Sequence, residues 1–250
     1  PHLGASTKEA QTNVAVAVAG QIINFLKTET IENAVNAPSV TGELLDRLGP
    51  FLSLGDKIGA LQAQLISGPV KEVIIEYTGD FQGLDMSPVT TAVLKGLLTP
   101  AVSDDVNFVN ANFIAMERGV KVIETSTPET EDYINLINVK VVTVEMYSDV
   151  AGTIYGKKNP RIVKINKFRL ELIPHGHLVI IHNVDKPGAI GCIGSILGEH
   201  GINIGRMHVG QAEDGERNII FLRTDVTIPE AVQKQLRGMP LIKNVTVLEL

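Results

Sequence analysis

The chain has 250 residues, of which 44% are hydrophobic and 20% are charged, with 23 glycines and 12 prolines. This length and composition allow one to three domains with a buried core, which excludes a disordered or collagen-like protein. With 22 basic and 28 acidic side chains the formal net charge is −6, which argues against a protein whose affinity comes from neutralising nucleic-acid phosphates.

The first predicted element is a helix that starts at the capping-box pair Ser6 and Glu9. Its apolar residues recur at helical spacing and form one stripe: Val14, Val18, Ile22, Phe25 and Leu26. The run is too short for a membrane span, which needs about 20 apolar residues. Because no strand accompanies this helix, we expect residues 1–43 to be the end of a missing domain of a longer chain. We expect the stripe to pack on another copy or a neighbouring surface.

Residues 44–173 alternate between helical and strand-like patterns. Helices are predicted over 44–65, 88–98 and 105–118, and strands over 69–77, 120–124, 137–147, 152–155 and 161–172. This alternation predicts a mixed α/β domain.

Residues 174–250 contain two helices and four strands in the order β-α-β-β-α-β. Asp185–Gly188 opens the first helix, with Pro187 near its first turn, and Gly201 is placed to close it. The order predicts an antiparallel, ferredoxin-like sheet with both helices on one face. The fold class of the whole chain is therefore α+β: a helix without a domain of its own, a mixed α/β domain and a βαββαβ domain.

Catalytic motifs are missing from the sequence, which contains no GxGxxG, no Walker phosphate loop and no GxSxG. Four glycines, at 188, 191, 194 and 198, follow one face of a predicted helix and favour close packing of that helix on the sheet. Cys192, the single cysteine, is interpreted as a small core residue and allows no internal disulfide. His175, His177 and His182 lack a second cluster of metal ligands, so no metal site is predicted. Nothing indicates an oxidising compartment or a signal peptide, and we expect a cytoplasmic protein.

A basic run is concentrated between residues 157 and 169 of this acidic chain: Lys157, Lys158, Arg161, Lys164, Lys167 and Arg169. It is either the solvated face of a hairpin or a pocket for a phosphate or carboxylate metabolite. Since no aromatic side chains alternate with these cations, nucleic acid is not expected as a partner.

The segment Asn183–Gly188 lies between a predicted strand and a predicted helix N-terminus. The positive end of a helix favours a carboxylate, and Asp185 beside it could pair with an ammonium group, so the segment could bind an amino acid. Alternatively, Asp185 is the helix N-cap and Asn183 is an ordinary loop residue.

Segments along the whole chain resemble the long form of the D-3-phosphoglycerate dehydrogenase family. Pro1–Thr7 (PHLGAST) and the helix after it resemble the end of that family's catalytic part. Four segments resemble the intervening domain of that family: GPVKEV at 68–73, AVLKGL at 92–97, DVNFVNA at 105–111 and AGTIYG at 151–156. Two further segments resemble the ACT regulatory domain of the family: NVDKPG at 183–188 and GINI at 201–204. The implied boundaries are 1–43, 44–173 and 174–250.

The resemblance implies that His2 is the general acid/base of the NAD-dependent parent enzyme, with Gly4 and Ala5 near the nicotinamide. The dinucleotide-binding domain, the catalytic arginine and the acidic partner of the histidine are missing from the sequence. We therefore expect that the chain alone neither binds NAD nor catalyses the reaction.

The resemblance also implies that Asn183, Asp185 and Asn203 bind the feedback inhibitor L-serine where two ACT domains of a homo-oligomer meet. We expect Asp185 and Asn203 to project at one end of the βαββαβ unit. The family's intervening domain carries an anion site, for which Lys157, Lys158 and Arg161 are the candidates.

Two other functions are compatible with parts of this pattern. A stand-alone ACT protein that binds an amino acid would differ only in what precedes Pro1. Iron–sulfur serine dehydratases also pair a similar domain with an ACT domain, but their cluster needs several thiolates and this chain has one cysteine.

Overall fold

The computed structural model describes residues 4–28, 43–81, 83–102, 105–129, 132–211 and 217–250. The chain forms two compact units, residues 1–49 and 50–250. His2, the predicted acid/base, lies outside the described residues.

Helix α1 (Lys8–Thr28) forms the described part of the first unit before residue 29. The hydroxyl of Thr7 accepts a hydrogen bond from the backbone N–H of Ala10 at 3.1 Å, so Thr7 is the cap and the helix starts one residue later than a Ser6 cap predicts. Every residue of the predicted apolar stripe is exposed, Leu26 to 75%. The helix therefore carries a stripe that the described residues leave uncovered.

The second unit contains a six-stranded sheet with three helices. The helices are α2 (Glu43–Leu65, which starts before residue 50), α3 (Ser87–Leu98) and α4 (Ala111–Glu117). The strands are β1 (Val70–Gly79), β2 (Lys121–Thr127), β3 (Asn135–Thr143), β4 (Tyr147–Tyr155), β5 (Asn159–Ile165) and β6 (Phe168–Leu172). Their order is β2-β1-β3-β4-β5-β6, and β1 and β2 are parallel whereas the other pairs are antiparallel. The predicted mixed architecture is confirmed.

Two predicted strands are each interrupted by a turn. Within 137–147, the hydroxyl of Thr143 accepts hydrogen bonds from two backbone N–H groups of the turn that follows β3. Within 161–172, Asn166 adopts a left-handed conformation with φ of 51° and separates β5 from β6. Asparagine tolerates this conformation better than most residues. The apolar pattern continues across both turns, which is why periodicity alone predicted unbroken strands.

Helices α2 and α3 cross with their backbones in contact. A Cβ atom on Gly59 would overlap the carbonyl oxygen of Val93, and one on Gly96 would overlap the carbonyl oxygen of Asp56. A Cβ on Gly152 of β4 would lie 2.7 Å from the side chain of Leu54, so α2 covers this face of the sheet. Any side chain at Gly59 or Gly96 would therefore collide with the backbone of the facing helix, so only glycine fits at these two positions.

The remaining elements form a four-stranded antiparallel sheet with the order β10-β7-β9-β8. These elements are β7 (His177–Val184), α5 (Ala189–Glu199), β8 (Ile204–Gln211), β9 (Arg217–Thr224), α6 (Glu230–Arg237) and β10 (Ile242–Glu249). Gly201 follows α5 with φ of 67°, the left-handed conformation that closes a helix. One face of the sheet forms a core with both helices, including Val179, Ile181, Ile193, Leu197, Val232 and Leu236. The predicted βαββαβ fold is confirmed.

The other face of the four-stranded sheet packs against strand β6. Leu178 and Ile180 alternate with the residues that face the helices, and both are 2% exposed or less. His182 shares their face, and its ring makes an edge-to-face contact with Phe168 of β6 at 6.0 Å between centroids. Strand β6 of the six-stranded sheet therefore contacts the four-stranded sheet on the side opposite its helices.

Gln64, in the last turn of α2, holds the edge strand β10. Its Nε2 donates to the carbonyl oxygen of Glu249 at 2.9 Å, and its Oε1 accepts from the N–H of the same residue at 3.0 Å. The carboxamide thus satisfies both backbone groups of one residue, as a neighbouring strand would.

Gln64→Ala is expected to loosen this attachment. Loss of the two hydrogen bonds should lower the free energy of local opening at β10 by about 1 kcal/mol, which corresponds to severalfold faster hydrogen exchange. Hydrogen exchange at the amide of Glu249 measures it. Asn112→Ala, which removes a side-chain hydrogen bond to Thr91 in the other domain, is the control and should leave that amide protected. Unchanged exchange in Gln64→Ala would contradict the attachment.

Candidate functional site

The connection from β7 to α5 places a buried amide beside an exposed carboxylate. Asn183, the penultimate residue of β7, is 3% exposed. Its Nδ2 donates to the carbonyl oxygen of Val184 at 3.0 Å, whereas its Oδ1 is buried and has no hydrogen-bond partner. Asp185, two residues later, is exposed. Asn183 is therefore a strand residue, and its side-chain oxygen Oδ1 can accept a hydrogen bond from a ligand.

Helix α5 starts later than the sequence predicted. Its N-cap is Gly188, with φ of 95°, and no side chain makes a cap hydrogen bond. A residue in the left-handed conformation cannot continue a right-handed helix, so Pro187 stays outside it. The interpretation of Asp185 as the N-cap is wrong, and its carboxylate lies on the exposed loop Asp185–Gly188.

Asn203 lies directly before β8 and is exposed. Its backbone N–H donates to the carboxylate of Asp225 at 3.0 Å. Strand register places Ile204 and His177 opposite the same residue of β9, Thr224, whereas Val184 is at the other end of β9.

The expectation that Asp185 and Asn203 project at one end of the unit is therefore wrong. Helix α5 runs back along the sheet, so β8 begins at the end where β7 begins. A strand of eight residues spans about 25 Å, so one chain cannot bring both side chains to a single small ligand.

The glycine face of α5 points away from the sheet. A Cβ atom added at Gly191, Gly194 or Gly198 would meet nothing within 4 Å. The expected close packing of these glycines on the sheet is wrong, because Ile193 and Leu197 occupy that side of the helix. Cys192 is partly exposed instead of being a core residue. The outward face of α5 is open and nearly flat.

The candidate anion-binding residues lie at the hairpin between β4 and β5. Lys157 and Lys158 are exposed in the turn. Arg161 pairs with Glu171, 3.3 Å from Nε to Oε1, and donates to the carbonyl oxygen of Pro160 at 2.9 Å. Its guanidinium also lies over the ring of Tyr155 at 5.5 Å. The arginine is thus already engaged within the hairpin.

The later half of the basic run lines a cleft of about 910 Å³ in the six-stranded part of the chain. Lys164, Lys167 and Arg169 share this cleft with three acidic residues: Glu76, Glu129 and Asp132. The Nη1 atom of Arg169 lies 2.7 Å from Oδ2 of Asp132. Burial raises the pKa of the Tyr133 phenol in the lining of this cleft. Because the acidic residues come from β1 and from the segment between β2 and β3, no local sequence signal indicated them.

The predicted nicotinamide contacts Gly4 and Ala5 lie in an exposed turn before α1. Among the described residues, no group of three or more histidine, cysteine, aspartate or glutamate side chains could hold a metal ion. None of the described helices is long and apolar enough to cross a membrane.

Comparison with known proteins matches both folded parts to families. Residues 47–166 match the D-3-phosphoglycerate dehydrogenase intervening domain, and residues 177–240 match the ACT domain. Across its whole length the chain is 39% identical to D-3-phosphoglycerate dehydrogenase of Bacillus subtilis (strain 168), and 38% identical to that of Methanocaldococcus jannaschii. It is 36% identical over 242 residues to that of Archaeoglobus fulgidus, which is 95% of this chain. The chain spans 48%, 47% and 45% of these three proteins, about half of their length.

Proposed function

This chain belongs to the D-3-phosphoglycerate dehydrogenase family, and from that premise we propose that it is the regulatory part of an NAD-dependent enzyme of L-serine biosynthesis. Its ACT domain binds L-serine as a feedback effector. The observation that carries this proposal is the β7–α5 connection, where Asp185 is exposed next to an unpartnered amide oxygen of Asn183.

The connection offers a complementary group to each end of an amino acid. The carboxylate of Asp185 suits an ammonium group, and the first backbone N–H groups of α5 suit a carboxylate because helix N-termini carry partial positive charge. The 11 residues of α5 give this end a developed dipole.

A second copy of the ACT domain completes the site. Because Asn203 lies at the far end of its own sheet from Asp185, it reaches the ligand only from a partner chain. Strand β8 is the edge of the sheet, and two such edges related by a two-fold axis run antiparallel. This pairing brings Asn203 of one chain towards the Asp185 end of the other, and the open glycine face of α5 lets the two domains approach closely.

Within the part of the chain that the structure describes, no dinucleotide site is formed around the predicted nicotinamide contacts. Gly4 is in an exposed turn, and a Cβ atom there would meet nothing within 4 Å, so no cradle surrounds it. In the whole enzyme, NAD would accept hydride, and His2 would take the hydroxyl proton. The chain alone is proposed to be inactive.

The intervening domain is proposed to bind an anionic metabolite. Lys164 and Lys167 line the large cleft, whereas Lys157, Lys158 and Arg161 form the adjoining basic hairpin. The acidic residues of the same cleft favour a ligand that carries hydrogen-bond donors as well as negative charge.

Asp185→Ala is expected to weaken L-serine binding at least about tenfold, because it removes the charged partner of the ammonium group. Isothermal titration calorimetry on the 250-residue chain measures the affinity. Asp80→Ala, an exposed carboxylate of the other domain, is the matched control and should titrate like the wild type. An unchanged titration for Asp185→Ala would remove the residue from the site. A silent titration of the wild type would contradict the function itself.

A further inference from the structure

Two buried asparagines lie opposite each other on β7 and β9, the two central strands of the ACT sheet. Asn183 of β7 lies directly opposite Asn218 of β9. They are 3% and 4% exposed, and the Oδ1 atom of each is buried without a hydrogen-bond partner. Unsatisfied buried polar atoms are rare in folded proteins, and two in one cross-strand pair indicate a site that awaits a donor.

The pair lies at the end of the sheet where β7 leads into Asp185, the proposed partner of the effector's ammonium group. Asn183 alternates with Val179 and Ile181, and Asn218 alternates with Ile220 and Leu222, so both asparagines share the face that packs on the helices. Residues directly opposite in an antiparallel pair have Cβ atoms about 5 Å apart, so the two amide groups lie next to each other. The strand that carries Asn183 leads directly into Asp185 and α5.

The charge of the surroundings decides which donor suits this pair. Both acceptors are neutral and buried, and burying a cation against neutral groups is far less favourable than burying a hydroxyl group. The ammonium group of an amino acid has a better partner in the exposed carboxylate of Asp185. The remaining donor of L-serine is its side-chain hydroxyl.

We propose that Asn183 and Asn218 together bind the hydroxyl group of the effector, so that Asn218 is a specificity residue that distinguishes L-serine from L-alanine. The single hydroxyl proton is donated to Oδ1 of Asn183, and the hydroxyl oxygen accepts from Nδ2 of Asn218 once that amide group has turned by 180°. This inference rests on the proposed function, because it assigns a role within the same amino-acid site. Both oxygens have less than 1 Å² of exposed surface, so the ligand reaches them when the exposed loop Asp185–Gly188 opens.

The test compares the dissociation constants of L-serine and L-alanine by calorimetry on the 250-residue chain. The wild type is expected to bind L-serine at least about tenfold more tightly, since a site built to bond a hydroxyl rejects the analogue without it. Asn218→Leu, similar in size but apolar, should bring the two constants within about threefold, mainly by weakening L-serine. Asn218→Ala tests the same role if the leucine variant does not fold. Asn138→Ala is the matched control, because its Oδ1 is also buried and unpartnered but lies in the intervening domain.

The outcomes separate this inference from the function on which it rests. A collapsed preference in an Asn218 variant, with binding of L-alanine kept, supports the specificity role. A preference for L-serine that survives in both Asn218 variants overturns it, while amino-acid binding stands. Equal affinities for the two amino acids in the wild type also overturn it. If neither amino acid binds, the proposed function fails as well.

Discussion

Gly96→Ala is expected to destabilise the chain by about 3 kcal/mol or more, near the upper end of what overpacking a core produces. The new Cβ would overlap the carbonyl oxygen of Asp56 and lie 2.8 Å from the backbone nitrogen of Ala60. Both neighbours belong to the backbone of α2, so no side chain can rotate away. The two helices would have to separate, which exposes the apolar contacts along their crossing.

Thermal unfolding of the 250-residue chain measures this effect, and a loss of about 3 kcal/mol corresponds to roughly 10 °C at this size. Gly20→Ala, in the interior of α1, is the matched control, because a Cβ there meets nothing within 4 Å. Alanine should instead stabilise α1 by up to about 1 kcal/mol through its higher helix propensity. The two glycine-to-alanine changes are thus expected to act with opposite signs. Equal melting temperatures for Gly96→Ala and the wild type would show that the helices do not cross at Gly96.

Saturating L-serine is expected to strengthen self-association of the chain at least about tenfold, since a ligand held by both partners shifts the equilibrium by its differential affinity for the paired state. Asp185 and Asn203 lie at opposite ends of one sheet, so a ligand that contacts both must bridge two chains. Asn203→Ala should therefore reduce L-serine affinity and the association response together. Sedimentation velocity with and without L-serine measures the response.

Asn244→Ala is the matched control for this experiment. Asn244 is an exposed asparagine on β10, the opposite edge of the same sheet, and its substitution should leave the response to L-serine intact. A dimerisation constant that is the same with and without saturating L-serine would rule out the bridged site, even if each chain still bound the amino acid. A response of Asn203→Ala equal to that of the wild type would exclude that residue from the bridge.

Local signals in the sequence were sufficient for the order of elements in the ACT domain. Alternating apolar residues predicted β7, β9 and β10, and Gly201 was correctly expected to close α5. The same reasoning failed at Asn166, because apolar alternation continues through a turn that depends on a single left-handed residue. Periodicity reports which residues seek burial, and it contains no information about where the chain reverses.

The sequence by itself determined the α+β class and the βαββαβ order, and its family resemblance supplied Asn183, Asp185 and Asn203 as the proposed effector-binding residues. The class and the order follow from side-chain character and spacing along the chain, which the amino acids carry without their neighbours in space. Only the tertiary structure decided that Asp185 and Asn203 are at opposite ends of the sheet and that Asn218 faces Asn183. The tertiary structure also showed that Glu76, Glu129 and Asp132 line the large cleft beside the basic residues. Each of these depends on the register between strands far apart in sequence, and register is set by packing of the whole sheet rather than by any local pattern.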